Sequence, residues 1–115
     1  DAVPGLKVHV FSHMSHIYAQ GASIYTSYIF PNADTYAQTH QHWRLMKRAA
    51  SRAVVASGGT ISHQHGVGRD HAPYLRQEKG PLVIDLLQAM QEHFDPNQTL
   101  NPGVLLNSEA GLFEE

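Results

Sequence analysis

The alternation of hydrophobic and polar residues predicts two β-strands in the first 30 residues of this 115-residue chain. Residues 6–18 alternate around Val8 and Val10, and residues 22–30 are rich in β-branched and aromatic side chains. A short segment that ends in Gly21 separates the two runs. This pattern is typical of an antiparallel hairpin with a short turn.

Hydrophobic side chains at three- and four-residue steps predict a long helix over residues 34–57, with Asn32 or Asp34 as its N-cap. Gly58 and Gly59 form a strong stop signal for this helix. The next segment, residues 58–73, is rich in glycine and histidine and predicts a loop.

A second helix is predicted to begin at Gly80-Pro81, because proline suits the first helical position, and to end at Asp95-Pro96. The hydrophobic stripes of both helices are expected to be core. Their members include Trp43 in the first helix and Leu82, Val83, Leu86, Leu87, Met90 and Phe94 in the second.

Composition excludes several classes of protein. Hydrophobic residues make up 42% of the chain, which argues against intrinsic disorder. The net charge of -2 lacks the basic footprint of a nucleic-acid binder. A chain without cysteine has no disulfide, no cysteine-ligated zinc and no thiol catalysis. The first residue is Asp, so we expect a processed chain or a fragment.

The nine histidines are the unusual feature of the composition, because imidazole titrates near neutral pH. His63, His65 and His71 lie close together, beside glycines and Arg69. This cluster suits proton transfer next to an anionic ligand that Arg69 could pair with. A solvated turn with surface histidines explains the same residues equally well.

Metal binding is a weaker interpretation of the histidines. The three pairs with suitable spacing are His13/His16, His40/His42 and His63/His65. None has a third ligand at a diagnostic spacing, so no metal site is predicted.

Tyr18 ends the first predicted strand just before the turn. A phenol at that position could carry protons. The residues alone favour the alternative, in which the tyrosine ring packs against its neighbours and the hydroxyl forms a hydrogen bond.

Two segments together resemble the C-terminal domain of FAD-linked oxidases, a family of vanillyl-alcohol oxidase-type flavoproteins. They are residues 58–69, GGTISHQHGVGR, and residues 94–103, which contain F-D-P and L-N-P-G. The resemblance implies an α+β fold. The second half of a ferredoxin-like cap domain (β-β-α) would occupy residues 1–57. A Gly/His loop, a helix and a tail returning to an absent N-terminal FAD-binding domain would follow in residues 58–115.

Within this family, the chain is most similar to the alkyldihydroxyacetonephosphate synthase branch, flavoenzymes of ether-lipid synthesis. That branch has T-Y-D-A-G-A-C-I-Y in the hairpin and S-H-H-H-G-V-G in the loop. Ser23 and Gln64 depart from this pattern. The positions that match are Tyr18, Gly21, Ala22, Ile24, Tyr25, Ser62, His63 and residues 65–68. In the D-2-hydroxy-acid dehydrogenase branch, metal-ligating histidines occupy the positions of Tyr18 and Tyr25. This chain has tyrosine at both positions, and a neutral phenol is a poor ligand for a divalent metal, so that metal site is not expected here.

The resemblance implies a role for eight residues. They are Tyr18, His63 and His65 in catalysis, Gly66, Gly68 and Asn101 against FAD, and Arg69 and Tyr25 against the substrate. The implied reaction is acyl-to-alkyl exchange on a phosphorylated ketone, through an adduct at flavin N5 and without net redox change. One alternative is an FAD-dependent oxidoreductase of a D-2-hydroxy acid or alcohol. Another is a non-catalytic ferredoxin-like module.

As a fragment, the chain is expected to be inactive without the N-terminal FAD domain of its parent. Its hairpin edge and apolar helix stripes would then be exposed, and we expect self-association through them. A cytoplasmic location is expected, with a membrane surface as a further contact because the substrate would be a lipid.

Overall fold

The computed structural model describes residues 2–62 and 64–106. Two strands are followed by three helices. They are β1 His9–Tyr18, β2 Gly21–Ile29, α1 Tyr36–Ala56, α2 Gly68–Lys79 and α3 Pro81–Phe94. The chain divides into two compact units after Met46, within α1. The predicted α+β class and the predicted hairpin are confirmed, whereas the domain boundary at residue 57 stays a prediction.

The hairpin pairs β1 and β2 antiparallel, from His9 opposite Ile29 to Tyr18 opposite Gly21. The register shifts once, between Met14 and His16. Ser15 is therefore an extra residue in β1, and the irregularity is a β-bulge.

Thr35 caps the amino terminus of α1. Its hydroxyl oxygen accepts a hydrogen bond from the Gln38 N–H at 3.2 Å, and the hydroxyl donates to Gln38 Oε1 at 3.1 Å. The predicted caps, Asn32 and Asp34, are wrong. The pair Thr35 and Gln38 has the spacing of a capping box, and that exchange decides where the helix begins.

Gly58 and Gly59 end α1 as predicted. The Gly59 N–H donates to the Val54 carbonyl at 2.9 Å, and the Gly58 N–H donates to the Val55 carbonyl at 3.0 Å. These two bonds form a Schellman motif, which requires a left-handed residue. Gly58 supplies it, with φ of 74°.

Helix α2 is the element that the sequence pattern missed, since residues 68–73 were predicted to be loop. Pro73 lies inside the helix and cannot donate to the carbonyl four residues earlier. Burial of Tyr74 and Leu75 offsets that lost bond. Tertiary packing here overrides a local breaker signal.

The core of the second unit lies between three helices. Its buried side chains are Ser51 and Val55 of α1, Ala72, Tyr74 and Leu75 of α2, and Ile84 of α3. The Tyr74 hydroxyl forms a hydrogen bond with Ser51, and burial raises the pKa of that phenol. Helix α2 packs against α3.

The outer face of α3 is apolar and exposed. Leu82, Leu86 and Phe94 are 80%, 60% and 74% exposed, while Ile84 on the inner face is buried. The expectation that Leu86 and Met90 belong to the core is therefore wrong within this chain. The expected exposure of this stripe and of the hairpin is confirmed.

None of the helices in residues 2–62 and 64–106 is long and apolar enough to cross a membrane.

Replacement of Thr35 by alanine should lower the free energy of unfolding by about 1 kcal/mol, because the Gln38 N–H loses its acceptor. Urea denaturation of the chain followed by circular dichroism measures this change. Thr35→Ser keeps the hydroxyl and should retain most of the stability. Equal destabilisation by both substitutions would contradict the assigned cap.

Candidate functional site

The predicted site residues fall into two groups. Tyr18 and Tyr25 lie on the hairpin, in the first unit. The second unit contains His65, Gly66, Gly68, Arg69 and Asn101. His63 lies outside the described residues.

Tyr18 and Tyr25 lie on the same face of the hairpin. Tyr18 is paired with Gly21, which has no side chain to cover the phenol, and is 51% exposed. Tyr25 is paired with His13 and is 40% exposed. The hairpin thus presents two phenols to one side.

Glu78 anchors the backbone that leads into the histidine loop. Its Oε1 accepts from the Thr60 hydroxyl at 2.9 Å, and its Oε2 accepts from the Ile61 N–H at 2.9 Å. Lys79 Nζ lies 2.8 Å from Oε1. Burial by itself would raise the pKa of Glu78, but the hydrogen bonds from Lys79, Ile61 and Thr60 outweigh it and lower the pKa. The sequence analysis missed Glu78, because no motif marks it.

Ser62 closes the histidine loop. Its hydroxyl donates to the Gly66 carbonyl at 2.6 Å, which brings residues 62 and 66 together. His65 is exposed at the tip, with Nε2 3.4 Å from Gln64 Nε2. Its imidazole is therefore presented on a short, closed turn.

Gly66 and Gly68 have left-handed backbones, with φ of 77° and 58°. A Cβ atom at either position would meet nothing within 4 Å. Glycine is therefore required here for conformation, and the space beside the backbone is open to a ligand.

His71 joins α1 to the start of α2. Its Nδ1–H donates to the Val67 carbonyl at 3.1 Å, and Nε2 accepts from Lys47 Nζ at 2.7 Å. Burial and then the Lys47 charge lower the pKa of His71. Burial also lowers the pKa of Lys47, which Asp70 partly offsets. His71, the third histidine of the predicted cluster, therefore stabilises the backbone at Val67, where the loop meets α2.

Arg69 brings two sequence motifs together. Its Nη2 donates to the Pro102 carbonyl at 3.1 Å, and its guanidinium lies beside Gly103. The glycine loop and the Asn101-Pro102-Gly103 turn are thus neighbours in the fold.

Asp95 holds the segment that leads to this turn. One carboxylate oxygen accepts from the Thr99 N–H and hydroxyl, at 2.9 and 2.8 Å, and the other accepts from the Leu100 N–H at 2.8 Å. These bonds lower the pKa of Asp95. The acidic residue of the F-D-P motif therefore organises a loop.

The stability conferred by Glu78 should be lost in acid. Because its pKa is lower in the folded chain than the ordinary 4.5, the contribution is full above pH 4.5 and decreases as the pH falls below that value. We expect Glu78→Gln to cost about 1 kcal/mol at neutral pH. The difference from wild type should narrow below pH 4.5 in denaturation curves. Glu92→Gln, at an exposed position of α3, is the matched control, and a constant difference across pH would contradict the assignment.

Burial and, after it, the Lys47 charge should lower the pKa of His71. NMR of the imidazole should report a pKa below 6.5, so stability decreases as the pH falls through 6.5, where the unfolded chain protonates first. Lys47→Met should move the pKa of His71 upward, because it removes a neighbouring positive charge. Lys79→Met, at the far end of α2, should leave it in place. Identical titration curves in Lys47→Met and wild type would rule out the coupling.

The family model described as FAD linked oxidases, C-terminal domain, matches residues 5–105. An alkyldihydroxyacetonephosphate synthase of Dictyostelium discoideum is 26% identical over 96% of this chain and 19% of its own length. The synthase of Trypanosoma brucei brucei is 27% identical over 90% of this chain and 17% of its own length.

Shorter matches have higher identity. Glycolate oxidase subunit GlcD of Bacillus subtilis is 43% identical over 50% of this chain and 12% of its own length. The chain therefore spans less than a fifth of the length of the curated relatives it matches. No solved structure matches the chain significantly. The family match over residues 5–105 shows that this chain belongs to the C-terminal domain family of FAD-linked oxidases.

Proposed function

We propose that the chain is the C-terminal part of an FAD-dependent enzyme that exchanges an acyl for an alkyl group on a phosphorylated ketone. The observation that carries this proposal is the pair of phenols, Tyr18 and Tyr25, on one hairpin face. Phenols at these two positions are the pattern of the synthase branch. The similarity to two such synthases over 96% and 90% of the chain supports the same assignment.

The open backbone at Gly66 and Gly68 fits a flavin, because a planar ring can approach where no side chain intervenes. Asn101, in the turn that Arg69 holds, would be a third contact. Bound FAD supplies an electrophilic, redox-active ring. An N-terminal FAD-binding domain of the parent protein would provide the rest of its binding site.

The side chains of this chain would then move protons and hold the substrate. Tyr18 Oη and the His65 imidazole would exchange protons with the substrate and the entering alcohol, together with His63. Tyr25 would contact the substrate. Arg69 would also contact the substrate, since a guanidinium has five N–H donors and the Pro102 carbonyl accepts from Nη2.

An oxidoreductase of a D-2-hydroxy acid is the second candidate. The 43% identity to the glycolate oxidase subunit over 57 residues favours it, as does 44% identity to a D-lactate dehydrogenase of Anaerostipes hadrus over 46 residues. The same tyrosines and histidines would then take the proton of the substrate hydroxyl, with FAD as the acceptor of the hydride. In that reaction the anionic group of the substrate would be the carboxylate of the hydroxy acid, in place of the phosphate of the ketone.

The exposed apolar face of α3 would contact the N-terminal domain in the parent protein. Leu82, Leu86 and Phe94 are the residues such a contact would cover. The chain alone would self-associate through this face and be inactive.

We place the parent protein in the cytoplasm, with a membrane surface as the source of its lipid substrate.

The two candidates differ in whether substrate reduces the flavin. We expect the full-length, FAD-loaded protein to keep its flavin oxidised under anaerobic D-lactate, glycolate and 2-hydroxyglutarate. It should form an ether product from acyl dihydroxyacetone phosphate and a labelled fatty alcohol. Rapid flavin reduction by any of the acids would establish the second candidate, and a full-length protein that retains no flavin would contradict both.

Tyr18→Phe should lower the exchange rate by about 10²-fold or more, because a proton-transferring group is lost. Tyr28→Phe is the matched control, since Tyr28 lies on the opposite face of the same hairpin. Equal rates in the two variants would remove Tyr18 from the mechanism.

A further inference from the structure

The bulge at Ser15 decides which side chains share a face of the hairpin. Side chains alternate between the two faces of a regular strand. In a regular β1, Tyr18 and His13 would point to opposite faces. The extra residue Ser15 restores the alternation, so that His13, His16 and Tyr18 all lie with Tyr25. Bulges often re-aim side chains next to functional sites.

The two faces of the hairpin differ in chemistry. One, called the imidazole face here, carries His9, Phe11, His13, His16, Tyr18, Ser23, Tyr25, Ser27 and Ile29. The other carries Val10, Met14, Ile17, Ala22, Ile24 and Tyr28, with a 2.8 Å hydrogen bond between Ser12 and Thr26. The second, largely apolar face suits packing, whereas the imidazole face displays every histidine of the two strands.

Each tyrosine on the imidazole face has a histidine beside it. The His13 and Tyr25 rings stack with centroids 5.3 Å apart, and the His16 and Tyr18 rings stack at 6.3 Å. Ser15 Oγ lies 3.3 Å from His16 Nδ1 and orients that imidazole. The bulge residue therefore also helps to hold the histidine that it brings to this face.

The imidazole face suits an anion. Neither strand contains Asp or Glu, so an approaching oxyanion meets no carboxylate on the hairpin. His13 and His16 add imidazole N–H donors to the two phenol donors. No group of three His, Cys, Asp or Glu that could hold a metal ion occurs within residues 2–62 and 64–106.

We infer that His13 and His16 bind the anionic group of the substrate, a phosphate or a carboxylate, next to Tyr18 and Tyr25. This inference rests on the proposed function, since it places the substrate on the hairpin. His16 also positions the Tyr18 ring by stacking. Its replacement by phenylalanine retains a ring that can stack and removes only the N–H donors, which separates the two roles.

The test uses the full-length, flavin-loaded protein with histidine-selective isotope labels. Inorganic phosphate and D-lactate are titrated separately while the imidazole NMR signals are followed. We expect phosphate to shift the His13 and His16 signals, assigned from the variants. His13→Phe and His16→Phe should each weaken phosphate binding and raise the KM for the phosphorylated ketone about 10- to 100-fold, as expected for hydrogen bonds to a charged group.

His16→Gln keeps an N–H donor and should restore part of the lost affinity. His40→Phe is the matched control, because His40 lies on α1 and stacks on Tyr36. Circular dichroism and flavin content show that each variant is folded. Shifts caused by D-lactate in place of phosphate would assign the site to a carboxylate and favour the hydroxy-acid candidate.

Unchanged His13 and His16 signals with both anions would overturn the inference, as would wild-type affinity in both phenylalanine variants. If these variants keep the exchange activity with an unchanged KM, the anion site would be refuted and the proposed reaction would be retained. Absence of exchange activity, with phosphate binding that still depends on both histidines, would refute the proposed reaction and retain the site.

Discussion

The hydrogen bonds of the Glu78 carboxylate are the interaction on which the histidine loop depends. They hold the backbone at Thr60 and Ile61, directly before the loop, from the far end of α2. The loop is short, polar and exposed at His65, so its own packing contributes little order. A partly buried carboxylate with several donors supplies that order, because charge-assisted hydrogen bonds are strong and directional.

The remaining anchors follow the same principle. His71 accepts from Lys47 and donates to the Val67 carbonyl, and Asp95 holds the turn that follows α3. Arg69 links that turn to the glycine loop. Polar side chains of the helices and their ends thus fix irregular backbone on both sides of the region that we propose for the cofactor. Positioning of this region therefore depends on groups that need not touch the substrate.

The apolar surface follows a different constraint. The inner face of α3 is buried through Ile84, while its outer face keeps Leu82 and Leu86 exposed. A helix with two apolar faces needs two partners, and the part of the chain that the structure describes provides one. The hairpin has the same asymmetry, with an apolar face opposite the imidazole face. Both features agree with a domain that completes its core against the rest of a larger flavoprotein.

Much of the local structure was predictable from the sequence. The hairpin follows from residue alternation, the end of α1 from Gly58-Gly59, and the beginning of α3 from Pro81, because each depends on backbone preferences of a few adjacent residues. The resemblance to FAD-linked oxidases likewise depended on short motifs around His65 and Asn101, and the family match confirms it.

Other features had no decisive signal in the local sequence. The sequence pattern missed α2, because burial of Tyr74 and Leu75 outweighs the Pro73 signal. The cap at Thr35 and the bulge at Ser15 depend on which hydrogen bonds and register the folded chain adopts. The sequence by itself determined the hairpin, the helices α1 and α3, and the family. Only the tertiary structure decided that Glu78 holds the loop and that His13 and His16 share a face with Tyr18, because long-range contacts and strand register leave no local pattern.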